Sequence, residues 1–138
     1  MVRINIIDPK KLADQHLVAE YDEMLMLIHY IKHYPSLEDI PKEYCLGKGH
    51  MKFFKNKVLY LKKRHELLRQ EMKNRNFHPK RILPISDIPQ KNQNDWTPNK
   101  KDKEVIKERI RQRIKEKPEF YRYYSQHKPL KFFLELLE

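Results

Sequence analysis

The chain holds one cysteine and two glycines in 138 residues. Cys45 alone can form no internal disulfide, and a single thiol without an evident partner is a poor candidate for a nucleophile. Gly47 and Gly49 sit together in "LGKGH" (46–50), which lacks the spacing of a phosphate-binding loop. The only serines, Ser36, Ser86 and Ser125, lie in no nucleophile elbow. No apolar run approaches the roughly 20 residues that cross a bilayer, so no membrane partner is expected. "MVRIN" (1–5) also lacks the apolar stretch and small-residue cleavage site of a secretion signal. These absences lead us to expect a soluble protein of a reducing, intracellular compartment.

Charge is plentiful and unevenly placed. The net charge is +11, yet residues 1–41 carry 4 Lys/Arg against 7 Asp/Glu. Residues 42–81 carry 13 against 3, and residues 100–138 carry 12 against 7. A cationic field of this size concentrates polyanions, of which nucleic acid is the usual one. The basic stretches are also interleaved with aromatics able to stack on bases, which favours a nucleic-acid partner.

Apolar periodicity predicts an all-α fold in one domain, 1–138, with three main helices, long connecting loops and an aromatic C-terminal tail. Leu17, Tyr21, Met24, Ile28 and Ile31 form one stripe over 14–34, with Asp14 as the expected N-cap and Pro35 as the stop. His16, Glu20 and Glu23 share a neighbouring face. A second helix is predicted over 50–75, with Phe54, Val58, Leu61, His65, Leu68 and Met72 inward. Lys52, Lys55, Lys62, Lys63, Arg69 and Lys73 are expected on its other faces. Residues 76–99 hold four prolines and read as a loop. A third helix is predicted over 100–117, with Val105, Ile106, Ile110 and Ile114 inward. The end of the tail, "KPLKFFLELLE" (128–138), can form a short fourth helix.

Few chemistries survive inspection of the side chains. His16 with Glu20, and His29 with His33, are four apart, but no third ligand is evident and no metal site is expected. Glu20 and Glu23 lie one turn apart, which is poor placement for two carboxyls that must flank a glycosidic bond. The chain terminus offers another nucleophile. An α-amine has a reference pKa of about 7.7–8.0, so much of it is unprotonated near neutrality. Nearby cations favour the neutral form further. Such an amine can attack a sugar carbon and form a Schiff base. Val2 is small enough that removal of Met1 is expected, which would make Val2 the terminal residue.

Several short stretches together resemble the pyrimidine-dimer DNA glycosylases, the phage-type endonuclease V enzymes of ultraviolet repair. They are "RIN" (3–5), "LADQHLVAEY" (12–21) with Glu23, "LGKGH" with Phe53 and Phe54, "ISDIP" (85–89) and "FYRYYS" (120–125). They occur in the family's order and span nearly the whole chain. The resemblance implies an all-α DNA glycosylase with coupled abasic-site lyase activity, no cofactor and no metal. It makes the Val2 amine the nucleophile and Glu23 the catalytic carboxylate. It places Arg3 and His16 in the pocket, Arg109 and Arg113 on phosphates, and Tyr121, Arg122, Tyr123 and Tyr124 at the DNA or lesion. The implied partner is double-stranded damaged DNA, bound by a monomer in the cytoplasm or at the nucleoid, with a viral origin left open. Asp22 and Met26 depart from the family pattern, which carries arginines there, and Ser125 stands where glycine is usual. A related lesion, an abasic site, or binding of DNA without catalysis are therefore kept as alternatives.

Overall fold

The computed structural model describes residues 2–138, so the expected removal of Met1 lies outside the described residues. Five helices carry the fold: α1 (Asp14–His33), α2 (His50–Phe53), α3 (Val58–Asn74), α4 (Lys100–Glu116) and α5 (Leu130–Leu136). A two-residue hairpin, β1 (Arg122–Tyr123) with β2 (Gln126–His127), lies between α4 and α5. The predicted all-α architecture is thus the observed one, with α5 as the short fourth predicted helix.

Helix α1 packs mainly on α3. Its predicted stripe is buried throughout, as is that of the second helix from Phe54 to Met72. The second helix is not continuous, however. Phe54–Asn56 tightens into a 3-10 turn and Lys57 leaves helical geometry (φ −127°, ψ 35°). The break stays satisfied because Lys57 Nζ reaches back to Phe53 O at 2.9 Å and Asn56 Oδ1 at 2.8 Å. Side chains thereby replace the lost ladder bonds. The kink turns Phe53 and Phe54 both inward, into one aromatic cluster with Tyr44, Tyr60 and Trp96.

Three further expectations are corrected. Asp14 is the first helical residue rather than the cap. Ala13 takes the N-cap position without a side-chain bond. The Asp14 carboxylate instead accepts from the amides of Tyr124 at 3.1 Å and Ser125 at 2.7 Å, and from Arg75 at 3.0 Å. Val105 is half exposed, leaving Ile106, Ile110 and Ile114 as the buried face of α4. Lys55 is buried, because the 3-10 turn swings it inward with its ammonium 5.7 Å over the Tyr30 ring.

The N-terminal segment, residues 2–12, has an unusual solution to its backbone polarity. Ile4, Ile6, Ile7 and Leu12 are buried there, yet the segment joins no sheet. Buried carbonyls need donors, and here side chains supply them in order along the chain. Arg109 Nε donates to Val2 O (3.2 Å), Tyr44 to Arg3 O (3.2 Å) and Tyr60 to Asn5 O (2.6 Å). Arg64 donates to Ile7 O (2.5 Å), and Arg75 to Pro9 O (3.1 Å) and Leu12 O (2.8 Å). Two of these arginines are neutralised in place. Glu20, wholly buried, takes both Nε and Nη2 of Arg64 at 2.8 Å, and Glu71 takes Arg75 Nε at 2.8 Å. Part of the basic charge in 42–81 is therefore structural, placed on the threaded segment rather than on the surface.

Candidate active site

The segment ends against α1. The Val2 nitrogen lies 2.7 Å from Glu23 Oε2, and the Arg3 amide lies 3.1 Å from Oε1 of the same carboxylate. One half-buried carboxylate thus bridges two consecutive backbone nitrogens. Glu23 stands on the rim of α1, one turn beyond Glu20, where the helix surface passes from core to solvent. The backbone leading there is strained. Arg3 (φ 51°) and Asn5 (φ 56°) both occupy the left-handed region, which costs energy for residues with a Cβ.

Arg109 interacts electrostatically with both the carboxylate and Arg3. The Arg3 guanidinium donates to the carbonyls of Leu46 and, at 3.4 Å, Gly47, which ties the "LGKGH" loop to the site. The loop is shaped by Gly49, whose φ of 97° suits glycine and which serves as the N-cap of α2. Arg109 reaches Val2 O from α4, and its pKa is lowered by burial and by the neighbouring Arg113 and Arg3. One turn on, Arg113 joins Arg109, Gln112, Lys117, Phe120 and Tyr121 around a depression of about 580 Å³. Guanidinium groups on one helix edge, with an exposed Phe120 beside them, suit a sugar-phosphate strand.

His16 is 3% exposed and packs its ring 4.8 Å from that of Tyr121. Burial and the nearby Arg113 hold its pKa at about 4, so the imidazole is neutral near pH 7. Neither of its nitrogens has a hydrogen-bond partner among the described residues. His50, on the other side of the site, is likewise held at about 4 by burial, with Nδ1 2.8 Å from Cys45 O.

The other expected site residues divide. Val2, Arg3, Glu23 and Arg109 come together, and Arg113 and His16 border them through Tyr121 and the α4 edge. Tyr121 itself is buried against His16 and Phe133. Tyr123 donates to Lys10 O at 2.9 Å, and Tyr124 lies 3.3 Å from Glu71. Arg122 is exposed, with its amide held by Gln15 Oε1 at 3.0 Å. The hairpin is thus anchored to the start of α1, and it presents Arg122 and part of Tyr124 to solvent. Asp22 is exposed, and Met26 is exposed on the next turn of the same helix. Sequence reasoning missed Asn5, Tyr44, Tyr60 and Arg64, because nothing in their spacing says that they hold the N-terminal segment.

The all-α scaffold thus brings the N-terminal segment, a rim carboxylate and a basic helix edge together. The chain matches the family model described as pyrimidine dimer DNA glycosylase over residues 1–84. It belongs to that family of DNA-repair glycosylases, whose substrate is damaged DNA. The match contains Val2, Arg3, His16 and Glu23, whereas α4, the hairpin and α5 follow it.

Proposed function

We propose that this protein is a glycosylase and abasic-site lyase acting on ultraviolet pyrimidine dimers in double-stranded DNA, through an imine formed by the α-amine of Val2. The observation that carries the reading is the 2.7 Å approach of the Val2 nitrogen to Glu23. Once Met1 is removed, that nitrogen is a primary amine held on a carboxylate, beside Arg3 and Arg109. The Glu23 carboxylate can take the proton that the amine must lose before it attacks, and the cations offset the carboxylate's pull toward the ammonium form.

The steps follow from this pairing. The amine lone pair attacks C1′ of the damaged nucleoside as the glycosidic bond breaks, and the base leaves with the bonding electrons. Positive charge develops on the sugar and is stabilised by the Glu23 carboxylate at short range. Loss of a proton from nitrogen and opening of the ring give the imine. Glu23 then takes a proton from C2′, and the 3′ phosphate leaves by β-elimination, which nicks the strand. Arg109 and Arg113 hold phosphates, Arg3 fixes the loop beside the sugar, and neutral His16 lines the pocket. Arg122 and Tyr124 extend the contact along the duplex, while Tyr121 and Tyr123 support it from beneath. The protein acts as a monomer and needs no cofactor.

A second substrate reading rests on Asp22 and Met26. An anion and a thioether there, close to Glu23, weaken the grip on a dimer and favour an abasic site or another damaged base. Two duplexes decide between these readings, one with a single cyclobutane dimer and one with an abasic site. With Val2 as the terminal residue, nicking of both is expected. Nicking of the abasic duplex alone moves the glycosylase substrate elsewhere. Salt-sensitive binding with no nicking of either overturns the enzyme.

A further inference from the structure

We propose that Tyr44 and Tyr60 are positioning residues for the N-terminal nucleophile, holding the backbone of Arg3–Asn5 in the conformation that aims Val2 at Glu23. The inference rests on the function proposed above and concerns residues outside the reacting set.

The stretch between Val2 and the buried Ile6 is held against its own preference. Arg3 and Asn5 are both left-handed, and the Ile6 amide donates to Ile4 O at 2.6 Å. That three-residue closure around a residue of positive φ is the rare, strained form of the γ-turn. Asn5 tolerates the left-handed region better than most residues, but Arg3 does not. Contacts from elsewhere must select this conformation, and two phenols provide them. Tyr60, on α3, donates to Asn5 O at 2.6 Å. Tyr44, in the loop before α2, donates to Arg3 O at 3.2 Å and lies 3.1 Å from Asn5 Oδ1. Arg3 O and Asn5 Oδ1 are both acceptors, and the single phenol proton is shared between them. One hydroxyl thereby spans the turn, reaching both the Arg3 backbone and the Asn5 side chain.

The phenols are themselves fixed. The Tyr44 ring stacks on Trp96 with centroids 5.6 Å apart and meets Phe53 and Phe54 edge-on at 5.7 and 6.0 Å. Tyr60 packs on Phe54 and Trp96. Burial pushes the Tyr60 hydroxyl up to about 12 and Tyr44 higher still, so both remain donors at any working pH. Val2 lies one residue beyond this strapped turn. A displacement of about 1 Å at a reacting atom can cost on the order of 100-fold in rate, so the straps should be felt in the chemical step rather than in DNA affinity.

The test uses Tyr44→Phe and Tyr60→Phe, which keep the rings and remove only the hydroxyls. Single-turnover borohydride trapping on an abasic duplex is measured across DNA concentrations. Reductive methylation of the Val2 amine by formaldehyde is measured in parallel without DNA. The expected result is a maximal trapping rate lowered about 10- to 100-fold, with the half-saturating duplex concentration and the methylation rate unchanged. A general loss of folding would instead change all three readouts. Folded variants that trap as fast as the parent overturn the inference and leave the amine mechanism standing. A parent protein that forms no adduct at Val2 overturns the mechanism, and the inference with it.

Discussion

Glu20 and Glu23 lie one turn apart on the same helix, and the fold holds them in opposite settings. Glu20 has no solvent exposure and is closed on two sides by the Arg64 fork. Among the described residues, Glu23 accepts hydrogen bonds from two backbone nitrogens, those of Val2 and Arg3. A carboxylate saturated by a guanidinium is a fixed strut. A carboxylate facing an amine at the edge of solvent can exchange that contact for a sugar cation and then for a proton. Three residues of helix, about 4.5 Å of rise, separate the buried, ion-paired acid from the one proposed as catalytic. The same division runs through the basic residues, with Arg64 and Arg75 buried on backbone carbonyls and Arg113 and Lys117 lining an open depression.

The most severe way to break this contrast is to remove the strut. Glu20→Ala leaves Arg64 buried without its counter-charge, which costs about 3–5 kcal/mol. The melting temperature should fall sharply and the N-terminal segment should become open to proteolysis. Glu23→Gln should do the reverse, leaving the denaturation midpoint nearly unchanged while nicking falls about 100- to 1,000-fold. Equal stability losses in the two variants would erase the distinction.

Acid sharpens the contrast next. His16 and His50 are held neutral at about 4 in the folded protein, against an ordinary value of 6.5. As pH falls through 6.5 the unfolded chain takes up protons that the folded one refuses. The stabilising effect of the neutral rings is therefore complete above pH 6.5 and is lost on descent toward pH 4. The loss is on the order of 3 kcal/mol for each ring, and urea melts at pH 7.5 and 4.5 measure it. His16→Gln should flatten part of that slope.

Smaller effects are expected at the surface. Arg113→Gln should weaken duplex binding several-fold and reduce the log–log salt slope by about 0.9 if the residue neutralises one phosphate. Smallest of all is Ser125→Gly. Tyr124 and Ser125 both have positive φ in the hairpin turn, at 52° and 66°. Glycine relieves that strain at Ser125 but frees the unfolded chain, so a net gain of about 0.5 kcal/mol is expected, readable as a slight rise in melting temperature.

Much of the scaffold was legible in the sequence. The stripes from Leu17 to Ile31 and from Phe54 to Met72 are buried as the periodicity predicts, and Pro35 follows the end of α1. The break at Lys57 was not legible, because 3-10 and α-helical turns share nearly the same apolar spacing over so few residues. The partners that hold residues 2–12 were not legible either. The segment is held by donors from positions as distant as Arg109, and no local pattern encodes such pairings. Spacing alone gave Glu20 and Glu23 equal claims. The family resemblance singled out Glu23; in the structure Arg64 occupies Glu20, while Glu23 accepts from the Val2 and Arg3 nitrogens.

Borohydride trapping followed by peptide mapping tests the central claim most directly. The protein, with Val2 as its terminal residue, is reduced in the presence of a dimer-containing duplex. The account predicts a covalent DNA adduct on the Val2 amine, with Glu23→Gln leaving the adduct site unchanged but suppressing strand cleavage. An adduct mapped to a lysine, or no adduct from a preparation that binds the duplex, would contradict it.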